Sequence, residues 1–205
     1  MKVALELIRD ETVESPVESP VESPADAAHR SLEAGDYRAA LTFLMSAYGD
    51  GIFRHCRQVL GDAALADDVH QIVFVQAYRD LPKFQGRSSL KTWLYSIARH
   101  RCLDAIKAKR RWLNRFALTR KYPERIDLRP PADELVDAYA ESLRLTSCLE
   151  RLKPNARIAV LLRYQEGLSY YEMAEVCGER PATLQARVSR AVLRLRRWME
   201  VSDDV

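Results

Sequence analysis

The feature that most constrains this chain is a helix-turn-helix pattern near its C-terminus, within residues 169–197. Ser169 followed by Glu172 has the spacing of a capping box, which opens a helix. Gly178 suits the left-handed position that ends such a helix, and Pro181 is favoured in the first turn of the next one. The spacing therefore predicts two helices joined by a tight turn.

The second of these helices has one apolar side and one basic side. Its apolar residues recur with the helical period of about 3.6 residues, at Leu184, Val188, Ala191, Val192 and Leu195. Its opposite side carries Arg187, Arg190, Arg194 and Arg197. Because one side can pack while the other meets phosphates and base edges, the pattern favours a DNA-reading helix over a merely solvated charged face.

Charge is unevenly spread along the 205 residues, whose formal net charge is +3. Residues 1–36 carry nine acidic and three basic side chains, a net charge of −6, so the remainder carries +9. A basic body of this kind favours a polyanionic partner. Only seven glycines occur, and alternation of β-branched residues is scarce, which favours an all-α fold.

Composition divides the chain into four segments. Residues 1–26 contain Val-Glu-Ser-Pro three times, and repeated proline among acids predicts a disordered acidic extension. Residues 27–110 show apolar residues at helical spacing and predict a helical bundle. Residues 111–134, which are rich in basic residues and proline, predict a flexible linker. Residues 135–200 predict a second small helical domain that ends in the helix-turn-helix.

Helix boundaries inside the first bundle follow from glycine and proline. Asp36–Tyr48 and Ile52–Leu60 predict two consecutive amphipathic segments, which end at Gly61. Residues 63–81 predict a further helix that stops before Pro82, because the residue that precedes a proline avoids helical angles.

The chain lacks the motifs of several other protein classes. Its cysteines form no C-x-x-C pair and no secretory signal precedes them, which predicts reduced, buried thiols in a cytoplasmic protein. No stretch is long and apolar enough to cross a membrane. Neither structural metal spacing, nor a glycine-rich phosphate loop, nor a nucleophile with a partner base occurs. We therefore expect no metal, no cofactor, no membrane insertion and no enzymatic activity.

Three stretches together resemble the extracytoplasmic-function (ECF) subfamily of the sigma-70 RNA polymerase sigma factors. Residues 67–78 resemble the helix that binds RNA polymerase, residues 84–99 resemble the promoter-melting loop and helix, and residues 152–197 resemble the second DNA-binding domain. The resemblance covers residues 30–200. It implies that the first helical domain is sigma region 2 and the second is sigma region 4.

The resemblance implies that one helix contacts the large catalytic subunits of the RNA polymerase core. Asp68 and Gln71 lie three positions apart and project from one face of that helix. Ile72, with Val69 and Val73, can hold the opposite face in the core. The implied polymerase-binding residues are Asp67, Asp68, Gln71, Phe74 and Tyr78.

The following loop and helix are implied to capture a base of the −10 promoter element. Opening a duplex requires an aromatic side chain or a pocket for the unstacked base, and cations along the strand. The residues implied in −10 binding are Lys83, Phe84, Gln85, Arg87, Ser88, Lys91, Trp93, Arg99 and Arg101.

The basic side of the last helix is implied to read the −35 element in the major groove, where arginine suits guanine and glutamine suits adenine. We expect base contacts near the start of the helix and phosphate contacts from Arg194 and Arg197. The implied −35-binding residues are Thr183, Gln185, Arg187, Ser189, Arg190, Arg194 and Arg197.

The sequence is therefore interpreted as an alternative sigma factor that binds RNA polymerase core and directs promoter-specific transcription initiation. Promoter DNA and an anti-sigma protein are its further expected partners. The alternative is a helix-turn-helix regulator that acts without being a polymerase subunit. The motifs within residues 67–99 favour the sigma factor, because a regulator has no use for a polymerase-binding helix followed by a melting loop.

Overall fold

The computed structural model describes residues 23–116 and 135–200. Within these ranges the regular structure is helical and contains no strand, which confirms the predicted all-α fold. The first range contains α1 Pro24–Glu33, α2 Tyr37–Leu60, α3 Ala63–Asp80, a 3₁₀ turn Leu81–Lys83 and α4 Leu90–Phe116. The second range contains α5 Leu135–Arg151, α6 Pro154–Tyr164, α7 Tyr170–Cys177 and α8 Pro181–Glu200.

Local sequence signals set the ends of α2 and α3. The carboxylate of Asp36 accepts a hydrogen bond from the backbone N–H of Ala39 at 2.9 Å. The carboxylate of Asp62 accepts one from the backbone N–H of Leu65 at 3.1 Å. Each cap satisfies a donor that the first turn of a helix leaves unpaired. Gly61 ends α2 in the left-handed conformation, with φ 66°.

The prediction of two helical segments within residues 36–60 is wrong, because α2 is continuous through Gly49 and Gly51. Glycine disfavours a helix interior by about 1 kcal/mol. A Cβ atom added to Gly51 would lie 2.8 Å from the hydroxyl oxygen of Tyr95 in α4. The glycine therefore permits close packing of α2 on α4, and that packing outweighs its low helix propensity.

Two predicted segment boundaries also differ from the helix ends. Residues 24–26 of the predicted extension belong to α1, and residues 111–116 of the predicted linker continue α4. Ser23 caps α1, whereas residues 1–22 of the extension and residues 117–134 of the linker lie outside the described residues.

The two predicted helical domains pack against each other. One continuous cluster of buried apolar side chains includes Leu94 from the first domain and Leu161 from the second. The most extensive contact between the domains is that of α4 with α7. A smaller cluster, which includes Ala28, Leu44 and Leu90, holds α1 against α2 and the start of α4.

The four cysteines are buried and not joined in disulfides, as predicted: Cys56, Cys102, Cys148 and Cys177. In the described ranges no three His, Cys, Asp or Glu residues are grouped so that they could hold a metal ion. The helices described here include none with the length and apolar character that spanning a bilayer requires.

Candidate nucleic-acid interface

The predicted helix-turn-helix is formed by α7 and α8. Ser169 Oγ accepts a hydrogen bond from the Glu172 N–H at 3.2 Å, and Glu172 Oε2 accepts one from the Ser169 N–H at 2.8 Å. These two bonds form the predicted capping box. Gly178 ends α7 with φ 66°, and Pro181 begins α8. The helix-turn-helix prediction is confirmed.

The two sides of α8 differ as the sequence predicts. The buried side consists of Leu184, Val188, Ala191, Val192 and Leu195. The exposed residues include six of the seven predicted −35 contacts: Thr183, Gln185, Ser189, Arg190, Arg194 and Arg197. Apart from Leu193, which is 64% exposed, the large side chains on the exposed side are polar or cationic, which is the character of a nucleic-acid-binding surface.

Arg187 is the seventh predicted contact, and it is only partly exposed. Its Nη1 donates to Glu179 Oε1 at 2.7 Å, and its Nη2 donates to the other carboxylate oxygen. These hydrogen bonds lower the pKa of Glu179 and raise the pKa of Arg187. Because a bidentate carboxylate occupies the guanidinium fork, a base contact by Arg187 requires this ion pair to open.

Six of the nine predicted −10 residues line one pocket of about 200 Å³ at the start of α4: Lys83, Phe84, Gln85, Arg87, Ser88 and Trp93. The rings of Phe84 and Trp93 pack at 57°, with centroids 5.2 Å apart. Gly86 bends the loop with φ 64°. The pocket therefore places an aromatic wall beside amide and cationic groups.

The other three predicted −10 residues make contacts within the protein. Lys91 Nζ donates to the backbone oxygen of Glu166 at 2.6 Å. Arg101 Nη2 donates to a side-chain amide of α3 at 2.9 Å. Burial raises the pKa of the Cys177 thiol, while Arg99 acts against that rise by its charge and a hydrogen bond. Lys91 and Arg99 thus contact the second helical domain in this arrangement.

Four of the five predicted polymerase-binding residues are exposed on α3: Asp67, Asp68, Gln71 and Tyr78. Phe74 requires a correction, because it is 5% exposed and its ring packs against His70 with centroids 5.1 Å apart. The prediction of Ile72 in the core is also wrong, since Ile72 is 47% exposed and Val75 is 52% exposed. Ile72, Val75 and Tyr78 form an exposed apolar strip along α3. Their spacing of three residues is the sequence signal for it.

A buried polar cluster joins the two domains around Glu166, which lies between α6 and α7. Its carboxylate accepts a hydrogen bond from the Tyr95 hydroxyl, and its Oε1 lies 4.0 Å from His55 Nδ1. Burial raises the pKa of Glu166, while hydrogen bonds with Tyr95 and Gln165 act against that rise. Burial lowers the pKa of His55 to about 4, so the imidazole is neutral.

Arg157 of α6 forms a second polar contact between the domains. Its Nη1 donates to the backbone oxygen of Val59 in α2 at 2.8 Å. Its Nη2 donates to the backbone oxygens of Glu150 and Leu152. Sequence reasoning missed this residue, because Val59 lies 98 positions away in the chain and no local pattern reports such a contact.

Comparison with known proteins identifies both halves of the chain. Residues 44–112 match the family model of Sigma-70 region 2, and residues 142–195 match that of Sigma-70 region 4. The probable RNA polymerase sigma-C factor of Mycobacterium bovis is 34% identical over 162 residues, which is 78% of this chain and 83% of the relative. The ECF sigma factor SigW of Bacillus subtilis is 26% identical over 181 residues, which is 83% and 94% of the two chains.

Two solved structures share the fold. The sigma factor RpoE of Bartonella quintana, in complex with the anti-sigma factor NepR, has a TM-score of 0.63 and 22% identity and covers 77% of this chain and 94% of that chain. CnrH, in complex with the cytosolic domain of CnrY, also has a TM-score of 0.63 and 22% identity, with coverages of 90% and 100%.

The fold and the exposed side of α8 define a two-domain, all-helical DNA-binding protein. The matches define it further: the chain belongs to the ECF subfamily of the sigma-70 family. It is an alternative sigma factor, which directs transcription initiation by RNA polymerase. A regulator that acts apart from polymerase would leave the region 2 match over residues 44–112 unexplained.

Proposed function

We propose that this sigma factor binds RNA polymerase core through the exposed face of α3 and divides a promoter between its two domains. Residues 27–110 recognise and melt the −10 element, and residues 135–200 hold the −35 element. The observation that carries the proposal is the pocket at the start of α4, which combines the aromatic, amide and cationic groups that a melting loop needs.

The pocket suits a base that has left the duplex stack. Phe84 and Trp93 offer faces on which a base stacks, and such stacking contributes about 1–3 kcal/mol per base. Gln85 offers an amide to the base edge, while Lys83 and Arg87 suit the flanking phosphates. Unstacking a base costs a few kcal/mol, so these contacts together offset the cost of opening the duplex.

The exposed side of α8 suits the major groove. Gln185 has the donor and acceptor that adenine requires, and Arg190 has the fork that guanine requires. Arg194 and Arg197 lie further along the helix and suit phosphates, which position the helix without reading sequence. Arg187 joins the base contacts when its ion pair opens.

The exposed side of α3 suits a protein partner. Ile72, Val75 and Tyr78 provide an apolar strip, and Asp68 and Gln71 provide exposed polar groups beside it. An apolar centre with a polar rim is the usual anatomy of a protein interface. We assign this side of α3 to the polymerase core.

The two domains must separate on the promoter. Here α4 and α8 line one common cavity, whereas the −10 and −35 elements lie about 25 base pairs, or roughly 85 Å, apart in B-form DNA. Separation also releases Lys91 and Arg99 from the second domain, so that both can meet a DNA strand. Residues 117–134, which follow α4, then connect the two DNA-binding domains, and binding of one domain raises the effective concentration of the other at the promoter.

The remaining partners follow from the same proposal. Because the similar RpoE structure is a complex with an anti-sigma factor, we assign this chain an anti-sigma partner that holds the inactive state. The chain acts in the cytoplasm, where polymerase and DNA meet. It has no enzymatic activity of its own, since the polymerase performs the chemistry.

Reconstitution with sigma-free RNA polymerase core tests the proposed function. We expect the full chain to bind core and to produce run-off transcripts from a subset of genomic fragments, with start sites that share −10 and −35 sequences. Core without the chain is the control. Tight binding to particular DNA fragments without polymerase, together with no transcript, would instead support the regulator.

Substitutions on α8 should separate base reading from phosphate contact. Gln185→Ala is expected to relax preference at one −35 position by about 5-fold to 160-fold, since a good base contact contributes about 1–3 kcal/mol of discrimination. Arg194→Ala is expected to weaken binding to all sequences alike and to reduce the slope of log affinity against log salt by about 0.9.

Binding of both variants to a −35 sequence library over a salt series measures these effects. Arg38→Ala, which removes an exposed charge from α2, is the matched control and should change neither quantity. If Gln185→Ala leaves sequence preference untouched, the reading side of α8 is assigned incorrectly.

A further inference from the structure

A cationic groove lies between the two domains, where the second half of α4 meets the start of α6 and the side of α8. Its volume is about 800 Å³. The basic side chains that line it are Lys107, Arg110, Lys153, Arg187, Arg190 and Arg194. Among the described side chains of residues 23–115 and 141–200, no carboxylate forms an ion pair with Arg110, Lys153, Arg190 or Arg194. The groove therefore concentrates positive charge that the described residues do not neutralise.

The same groove has apolar walls. Leu103 and Ile106 of α4 line it together with Pro154 and Ala156 of α6, and all four are partly exposed. Apolar surface ringed by charge is typical of a protein-binding site rather than of a site for phosphate alone. An occupant that complements the groove must therefore be both acidic and apolar.

The N-terminal segment of this chain has that chemistry. Residues 1–22 contain six acidic and two basic side chains, a net charge of −4. The apolar residues near the start of this segment include Val3, Leu5, Leu7 and Ile8. Acidic residues lie among them and after them, at Glu6, Asp10, Glu11 and Glu14. Residues 117–134, by contrast, contain four acidic and four basic side chains and so carry no net charge. Charge therefore favours the N-terminal segment over the linker as the occupant.

The N-terminal segment is also long enough to reach the groove. Ala28 of α1 belongs to an apolar cluster against which Tyr48 of α2 packs, which places the start of α1 beside the middle of α2. The far end of α2 adjoins α4, where Lys109 pairs with Asp62 at 3.0 Å. That end lies about 18 Å along the helix from Tyr48. Residues 15–22 span up to about 25 Å when extended, which brings residues 3–14 to the groove.

We propose that residues 3–14 bind in this groove of the same chain, with their apolar side chains on its walls and their carboxylates on its arginines. Bound there, the segment covers Arg190 and Arg194 and competes with DNA for α8. The competition with DNA rests on the proposed function, because it requires α8 to be the DNA-reading helix. The docking of residues 3–14 in the groove does not depend on that role of α8.

A carbodiimide, which couples carboxylates directly to lysine amines, tests the docking in the full chain. We expect cross-links from carboxylates of residues 6–14 to Lys107 or Lys153, with the Lys109–Asp62 pair as internal reference. A mixture of isotope-labelled and unlabelled protein shows whether a link lies within one chain. The docking is overturned if only the reference link forms, if the groove lysines couple to the linker instead, or if the links join two copies.

DNA binding by two tail variants tests the competition. One variant neutralises the acids, with Glu6→Gln, Asp10→Asn, Glu11→Gln and Glu14→Gln. The other keeps every charge and removes the apolar contacts, with Leu5→Ser, Leu7→Ser and Ile8→Ser. Because an intramolecular competitor acts at high effective concentration, we expect both variants to bind a labelled mixed-sequence duplex about fivefold more tightly than the native chain at low salt.

The charge-conserving variant is decisive, since loss of simple repulsion between tail and DNA cannot raise its affinity. Val17→Ser with Val21→Ser, in the repeat that connects the segment to α1, is the matched control and should leave affinity unchanged. Unchanged affinity in the charge-conserving variant overturns the competition. If the groove cross-links form in that case, the error lies in the assignment of α8 to DNA, not in the docking.

Discussion

Replacing Arg157 with methionine is expected to lower the free energy of unfolding by about 3 kcal/mol. The guanidinium donates to the backbone oxygens of Val59, Glu150 and Leu152. Methionine keeps much of the apolar stem but leaves these acceptors without their donor, and a buried unpaired group costs about 1–3 kcal/mol. Burial lowers the pKa of Arg157 while the carboxylate of Glu150 acts against that change, and the guanidinium stays charged because its pKa begins far above neutral pH.

Urea unfolding followed by circular dichroism measures this loss of stability. Arg180→Met is the matched control, because Arg180 is an exposed arginine of the same domain, and its replacement should change the free energy by less than about 0.5 kcal/mol. If Arg157→Met costs no more than the control, the three carbonyls do not depend on the guanidinium.

Acidification is expected to destabilise the protein through His55. The ring is fully buried, and neither nitrogen hydrogen-bonds to a described residue. Burial lowers its pKa from 6.5 to about 4 in the folded state, so the unfolded chain takes up this proton first. The free energy of unfolding therefore falls as the pH decreases between these two values. The loss reaches about 3 kcal/mol at the lower end, at about 1.36 kcal/mol for each unit of pKa.

Two neighbours face His55 and bear on this pH dependence. Tyr95 packs edge-on against the imidazole, with centroids 5.5 Å apart, and burial raises its pKa, so it stays neutral throughout. Glu166 Oε1 lies 4.0 Å from Nδ1, and burial raises the pKa of that carboxyl. Folding therefore favours the protonated carboxyl, and as the pH falls Glu166 opposes part of the loss that His55 causes.

Urea unfolding at a series of pH values separates these contributions. His55→Leu should flatten the dependence of the free energy on pH, and Glu166→Gln should make it steeper. His29→Gln, which changes an exposed histidine of α1, should leave it as in the native protein. A native pH dependence in His55→Leu would show that the acid sensitivity arises elsewhere.

The parts of this structure that the sequence predicts are local ones. The capping box at Ser169, the turn at Gly178 and the buried side of α8 each follow from residues a few positions apart. The pocket at the start of α4 could be anticipated as well, because the residues from Lys83 to Trp93 are contiguous and the resemblance supplied their purpose.

The parts that the sequence did not predict depend on which elements pack together. Ile72 is exposed although helical spacing assigned it to the core, and Phe74 is buried although the resemblance assigned it to the polymerase-binding face, because α2 and α4 decide which side of α3 is covered. Gly51 remains inside a helix because Tyr95 packs against it. The contact of Arg157 with Val59 depends on how two separate domains meet, and no periodicity along the chain reports that arrangement.

The continuous apolar core that the two domains share has a consequence for the lifetime of the active form. On the proposed function the domains part to span a promoter, which exposes the apolar side chains between them to water, and burial of those side chains favours reclosure of an isolated chain. The opened form can therefore persist only while another macromolecule shields those surfaces. On the proposed function, RNA polymerase covers these surfaces while the domains are apart. The chain returns to the closed arrangement once transcription releases it.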